Sequence, residues 1–330
     1  MNMEKVRDYL RLFRAQTAPA TILLILVPYL ANAPLLSVST LAIGVFALVA
    51  HWFAFGHNSL MDTAMGYDKA DPAKSHHPLV AGRISLTAAH NVIHWGLCGL
   101  AVLAIYLSFL SPVPVAALIS IFLWFVFGYA YNSGLSKESL LGFLPIAACF
   151  GAMGAWGWFL SHDALNTSGL ILLAYFFLTI VFQTSWSGHL KEMRVQERGN
   201  LLIRMGAQLK GHRLQERFIP GRSRIYGWFI KGLNLFLGVW LMLGQFNVVR
   251  LVWTVILGAL IITSLHRLTR PRTYIRDKEL RIMSVMEILT IYLPVPLVLP
   301  LMEATVLMLF GVVYFVVVNK VLWDASYPRV

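Results

Sequence analysis

Charge is what this sequence lacks most. Asp, Glu, Lys and Arg make up 13% of its 330 residues, against about 25% in ordinary globular proteins, while hydrophobic residues reach 58%. A water-soluble fold of this length cannot hide so much apolar surface; a chain dissolved in lipid has no need to. Acidic residues are the scarcer kind, 15 against 27 basic ones, for a formal net charge of +12. That balance does not make a nucleic-acid binder, because the sequence offers no basic, aromatic-interleaved soluble domain to carry the charge. Cysteine is limited to Cys98 and Cys149, both in apolar runs. This excludes a disulfide framework or a cysteine metal cluster and leaves two buried packing residues as the expectation. A basic leader with a cleavage site is missing as well. The chain opens on the charged amphipathic stretch MNMEKVRDYLRLFRAQTAPA, which reads as the approach to a retained first helix.

What is present is a series of apolar stretches of about 20 residues, the length needed to cross a bilayer core. Ten spans are expected, near 18–38, 40–61, 88–109, 113–131, 140–160, 168–187, 225–245, 250–266, 283–301 and 304–322. The span at 283–301 is the least regular, with Glu287, Pro294, Pro296 and Pro300 inside it. Tight hairpins are expected at Ser111-Pro112 and at Glu303. The connections alternate in basic content. Lys and Arg crowd the N-terminus and the loops after the second, fourth, sixth and eighth spans, whereas Arg250 is the exception among the opposite loops. The positive-inside rule then places both termini and the even-numbered loops in the cytoplasm of a multi-pass protein of the cell membrane. The expected fold class is therefore all-α, a polytopic transmembrane helical bundle, with residues 1–330 forming one domain. Two cytoplasmic loops, 62–87 and 188–224, are too long to be turns and are where function is expected.

The first of these loops holds the clearest chemistry, in GHNSLMDTAMGYDKADPAKSHHPLVAGRIS from Gly56 to Ser85. Asn58 and Asp62, four residues apart, share one face of the second helix at its cytoplasmic end. Gly66 offers a place to leave that helix, and Asp68 and Asp71 follow. Carboxylates and a carboxamide converging at a membrane edge are hard oxygen ligands that suit Mg²⁺, an ion that commonly bridges to substrate phosphates. Lys69, Lys74, His76, His77 and Arg83 could answer the remaining phosphate charge. A helix end with a solvated acidic loop is the blander reading, and Asp62 at the end of an apolar span argues against it.

These residues resemble the UbiA superfamily of intramembrane prenyltransferases. Asn58-Ser59-Leu60-Met61-Asp62 is similar to the family's first aspartate motif, with Ser59 in place of its first aspartate. His77-Pro78-Leu79-Val80-Ala81-Gly82-Arg83-Ile84-Ser85 is similar to the stretch that follows, with His77 where arginine is common. The form Asp62-x-x-x-Gly66-x-Asp68 looks most like the menaquinone-type branch. Arg14-Ala15-Gln16-Thr17-Ala18-Pro19-Ala20 resembles the family's entry into its first span, and Tyr131, Asn132, Ser133 and Lys137 sit where the family places a Tyr and a Lys. The resemblance covers about residues 10–300. It implies nine family helices, with the span near 304–322 as an addition.

In the second loop the likeness thins. Where the family has a second aspartate motif, this chain reads Ser187-Gly188-His189-Leu190-Lys191-Glu192-Met193-Arg194-Val195-Gln196-Glu197-Arg198, before the family-like tail LLIRMG. His189 and Glu192 stand roughly where two aspartates would, and Glu197 could replace a third. Two acidic clusters would hold two Mg²⁺ ions and stabilise a departing diphosphate; here Lys191, Arg194 and Arg198 dilute the second. The resemblance implies transfer of an isoprenyl group from its diphosphate to a small hydrophobic or aromatic acceptor, quinone-like or lipid, by Mg²⁺-assisted ionisation to an allylic cation. Asp62, Asp68 and Glu192 are the expected catalytic residues. Asn58, Asp62, Asp68, Glu192 and Glu197 are the expected Mg²⁺ ligands. Asn58, Arg83, Tyr131, Lys137, His189, Lys191 and Arg194 are the expected substrate contacts. The other partner is membrane lipid, and no nucleic acid is expected. Rival readings are a terpene cyclase on the same site and a non-catalytic prenyl-lipid binding or transport protein. The pairs His90–His94 and His51–His57 read as polar packing. Trp156, Trp158, Trp228 and Trp323 read as an interfacial belt, and Arg267 to Arg281 as a topology signal.

Overall fold

In lipid each backbone N–H and C=O must be satisfied within its own segment, so the apolar runs become helices. The computed structural model describes residues 3–71, 74–135, 138–193, 199–210, 216–270, 272–273 and 275–323. Its principal helices are α1 (Met3–Leu12), α2 (Ala18–Leu30), α3 (Val38–Ala64), α4 (Leu86–Phe109), α5 (Pro114–Leu135) and α6 (Phe143–Phe159). They continue with α7 (Thr167–Lys191), α8 (Gly221–Gly244), α9 (Val248–Thr269), α10 (Arg276–Val298) and α11 (Leu301–Trp323). Ser37, Ser85, Asn166 and Asn247 start α3, α4, α7 and α9, each side-chain oxygen accepting a backbone N–H of the first turn.

Among the described residues eight helices are long and apolar enough to cross a membrane, or nine if the pair at the N-terminus counts as one broken span. The protein is a multi-pass membrane protein. Ten apolar helices occupy the ten expected positions, with two differences. The expected span 18–38 is helical only over Ala18–Leu30 and is joined to α1 through a 54° bend. Pro34 falls after the end of α2, and Ser37 caps the next helix. The fifth, α6, has 17 residues, the lower limit for a crossing.

Contacts divide the chain into two compact units. The first comprises Met1–Leu135, Ala152–Leu165 and Leu309–Val330. In it α2 packs on α3, α3 on α4 and α4 on α5. Leu12 and Phe13 join Leu60, Leu79, Ile84, Ala89 and Ile93 in a cluster that ties the α1 end to the first long loop. Helices approach closely over glycine: a Cβ at Gly157 would fall 2.3 Å from the Ile25 carbonyl oxygen of α2. Trp156 and Trp158 are not belt residues. Both are buried, donating to Ser108 Oγ and to the Ala164 carbonyl (2.9 Å each), because the short α6 brings them inside. Cys98 is exposed on α4 rather than buried, whereas Cys149 is buried. His51 packs as expected, against Thr21 Oγ1 (2.8 Å) and the Arg14 carbonyl (3.1 Å).

The second unit comprises Ser136–Gly151 and Asn166–Met308, with α7 packed on α8 and α9 on α10. Arg250, the basic exception, donates to the Pro296 carbonyl (2.9 Å) and the Leu299 carbonyl (3.4 Å), capping the broken end of α10. The loops also form a small antiparallel sheet absent from the all-α expectation: β1 (Gln208–Lys210), β2 (Glu216–Phe218) and β3 (Arg272–Thr273), in that order. Gln208 pairs with Phe218, and Arg217 with Arg272. Beside it the Arg217 guanidinium and the Glu279 carboxylate form a buried ion pair.

Candidate functional site

The first unit assembles the candidate site around the C-terminal end of α3. Asn58 and Asp62 lie one turn apart on that helix, and Asp62 is buried. The helix ends at Met65, and Gly66 takes φ +86°, a left-handed turn that glycine adopts without strain. The chain then re-enters one helical turn, Tyr67–Ala70, which delivers Asp68 to a position with 0% exposure. Lys74 Nζ donates to Asp68 Oδ1 at 2.5 Å, while Asp68 Oδ2 is buried with no hydrogen-bond partner among the described residues. A buried carboxylate oxygen without a proton donor is strained electrostatically and prepared for a cation.

Asn58 is held from α5. Its Nδ2 donates to Asn132 Oδ1 (3.2 Å), and Asn132 Nδ2 in turn donates to His57 Nδ1 (2.8 Å). Asn132 reaches this point because α5 widens into a π turn over Tyr131–Leu135, with Gly134 at φ +96°. Such turns often mark functional positions. Tyr131, the expected contact, is half-buried beside it and engaged.

His77 is buried, and neither ring nitrogen is hydrogen-bonded among the described residues. Burial, and then the charge of Arg14, hold its pKa down to about 4, with Asp68 pulling the other way. Arg14 itself breaks the chain between α1 and α2 at φ 48°, an uncommon conformation for a non-glycine residue. Arg83 is committed to the protein: Nε lies 3.0 Å from both Asp8 carboxylate oxygens, and Nη2 donates to the His76 carbonyl (2.9 Å).

The second acidic stretch belongs to the second unit and is described within it. There α7 also passes through a π turn, Gln183–Ser187, before Gly188–Lys191. His189 is buried; its Nδ1 accepts from the Leu201 N–H (3.1 Å) and its carbonyl from Asn200 Nδ2 (3.0 Å). Asn200 caps the turn Leu201–Arg204, so His189 fixes the family-like tail onto α7. Lys191 and Glu192 are half-buried and engaged. Lys137, Arg194 and Glu197 lie outside the described residues. Among the described residues no group of three or more His, Cys, Asp or Glu side chains is gathered as a metal site.

A buried polar cluster in the second unit was not anticipated. Lys231 of α8, 1% exposed, donates to Thr290 Oγ1 (3.1 Å) and sits 4.0 Å over the Phe182 ring. Glu287 of α10 accepts from Ser187 Oγ (2.9 Å). Its only sequence signal was ionisable residues inside apolar spans, which Glu287 gave and Lys231 could have given.

Comparison with known proteins decides the lineage. The model of the UbiA prenyltransferase family matches residues 17–291. The chain belongs to that family. The matched residues end within α10, while the fold likeness to solved structures extends over up to 96% of the chain and so takes in most of α11. No curated protein sequence matches the chain. Among solved structures, this UbiA-family chain is similar to one reported for the biosynthesis of digeranylgeranylglyceryl phosphate synthase in membranes. The identity is 16% and the TM-score 0.59, over 89% of this chain and 100% of that one. It is also similar to a UbiA homologue from Archaeoglobus fulgidus bound to GPP and Mg²⁺ (12% identity, TM-score 0.58, 93% and 99% covered). The same homologue bound to DMAPP and Mg²⁺ gives 12% identity and TM-score 0.55, with 96% and 99% covered. At these identities the likeness is one of fold.

Proposed function

We propose that this UbiA-family chain is a membrane prenyltransferase that moves an isoprenyl group from its diphosphate to a small acceptor, a quinone-like aromatic or a lipid. The observation that carries the reading is Asp68, shut from solvent, salt-bridged on one oxygen and unpartnered on the other, on a loop that resembles the family's first motif. The donor set is oxygen only and supplies one or two carboxylates, which suits Mg²⁺ because that ion keeps waters and takes its other ligands from phosphate. Asp62 and Asp68, with the Asn58 carbonyl oxygen, would hold Mg²⁺, which supplies positive charge to the departing diphosphate. The Asn132 bridge fixes the Asn58 amide so that its oxygen is the atom presented.

The allylic C–O bond breaks heterolytically and its electron pair leaves on the diphosphate. Lys74 has three N–H donors, and its contact with Asp68 places it where those donors can answer that charge. Glu192, Lys191 and His189, with Arg194 and Glu197 of the same loop and Lys137 of the connection after α5, are proposed to serve the diphosphate. The acceptor's nucleophilic carbon or oxygen then captures the cation and releases its proton. Sidedness is proposed from the basic loops: both termini and the site face the cytoplasm.

Purified protein in nanodiscs, given geranyl diphosphate, Mg²⁺ and candidate acceptors, is expected to release pyrophosphate. Asp68→Asn is expected to lower that rate at least about 100-fold, the scale of losing a group that stabilises developing charge. An unchanged rate in Asp68→Asn and Asp62→Asn would overturn the mechanism. Donor binding without pyrophosphate release from the wild type would favour a carrier, and release without an acceptor a cyclase.

A further inference from the structure

The last described turn of α11 meets the first long loop, and it carries Leu322 and Trp323. Arg11 of α1 takes the Leu322 carbonyl with two N–H groups, Nη2 at 2.6 Å and Nε at 3.0 Å. The same guanidinium lies 5.0 Å from the centroid of the Trp323 ring, and Trp323 meets the His76 ring edge-on at 5.2 Å. Arg11 Nη1 also reaches Asp8 Oδ1 (3.3 Å), and Asp8 holds Arg83 through both its oxygens. Arg83 ties down the His76 carbonyl (2.9 Å), the His77 N–H bonds the Lys74 carbonyl (2.8 Å), and Lys74 Nζ holds Asp68. An unbroken chain of polar contacts thus runs from the end of α11 to the candidate metal ligand.

We infer that Arg11, Asp8 and Trp323 are positioning residues, and that the last helix, α11, sets the aim of Asp68 through the 74–85 loop. This rests on the prenyltransferase reading. Charge-assisted contacts give such a relay directional force, since two N–H groups of Arg11 converge on one carbonyl oxygen and Arg83 Nε is held between both Asp8 oxygens. A packing role alone would need neither the Asp8–Arg83 pair nor the contact of Arg11 with the Leu322 carbonyl.

The test uses the full chain in nanodiscs with Arg11→Ala, Asp8→Asn, Trp323→Ala and Trp323→Phe. Hydrogen exchange of the 74–85 peptide is measured without substrate, and the Mg²⁺ concentration for half-maximal pyrophosphate release with it. Arg11→Ala, Asp8→Asn and Trp323→Ala are expected to raise exchange in 74–85 about tenfold, the scale of one lost charge-assisted contact. They are also expected to raise the half-activating Mg²⁺ concentration about tenfold, with the rate at saturating Mg²⁺ within about twofold. Trp323→Phe keeps an aromatic face and should behave as wild type. Asp8→Asn keeps the shape of the site, so it decides the matter if a larger deletion fails to fold. Unchanged exchange in 74–85, or a lower saturating rate with unchanged Mg²⁺ dependence, would overturn the relay. Absence of pyrophosphate release from the wild type would instead remove the prenyltransferase reading, while the exchange data still judge the contact chain.

Discussion

Lys74 answers a carboxylate that water cannot reach, so deleting its charge leaves Asp68 with nothing to balance it. Lys74→Met is expected to slow pyrophosphate release about 10- to 100-fold, equivalent to the roughly 1.5–3 kcal/mol of a hydrogen bond to a charged group. His77 gives a pH signature. Its folded pKa, about 4, lies below the ordinary 6.5, so an opened loop takes up the proton first. The closed loop therefore keeps its full stability above pH 6.5, loses it as pH falls towards 4, and can lose about 3 kcal/mol in all. Exchange in residues 74–85 should rise between pH 7 and pH 5, and His77→Asn should flatten that rise. The sequence singled out Asp62 because a carboxylate rarely ends an apolar span without purpose, and Asn58 and Asp68 by their spacing from it; the structure buries Asp62 and Asp68. Asn132 was legible only as part of a motif. Its contact with Asn58 depends on a π turn that shifts the helix phase, and no periodicity in the sequence announces that. Arg83 was read as a phosphate contact because sequence shows its charge and hides its partner, Asp8, 75 residues away.

At the scale of elements, run length and basic loops located every long helix, since lipid leaves an apolar run little alternative. The N-terminal span was misjudged in length. Apolar composition continues past Leu30, but Pro34 and the Ser37 cap end one helix and begin another. The sheet could not be read, because QLK and ERF are three-residue strands without alternation. Helix contacts also depend on missing side chains. Gly157→Val would drive a side chain into the backbone of α2 and should destabilise the first unit by about 1–3 kcal/mol, read as an earlier thermal transition in detergent. The same substitution at Gly99, where a Cβ meets nothing, should leave the transition in place.

For the whole molecule the proposed sidedness is open to direct labelling. In a Cys98→Ser background, the exposed positions Ser75 and Asp163 fall in loops assigned to opposite faces. An impermeant maleimide added to intact cells should modify Asp163→Cys and spare Ser75→Cys. The reverse pattern would invert the topology and place the aspartates outside. Membrane class and family were legible from bulk composition and one motif. The acceptor was not, because apolar side chains look the same in sequence whether they line a tunnel or fill a core.

Strand β3 can join β2 only after the ribosome has made two further spans, α8 and α9, and Arg217 waits 62 residues for Glu279. Completion of that sheet is therefore a late event in biogenesis. It fastens the N-terminal ends of α8 and α10 only once the intervening hairpin has entered the bilayer. A nascent chain that mis-inserts α9 would leave Arg217 without its carboxylate, and so carry its own mark for quality control.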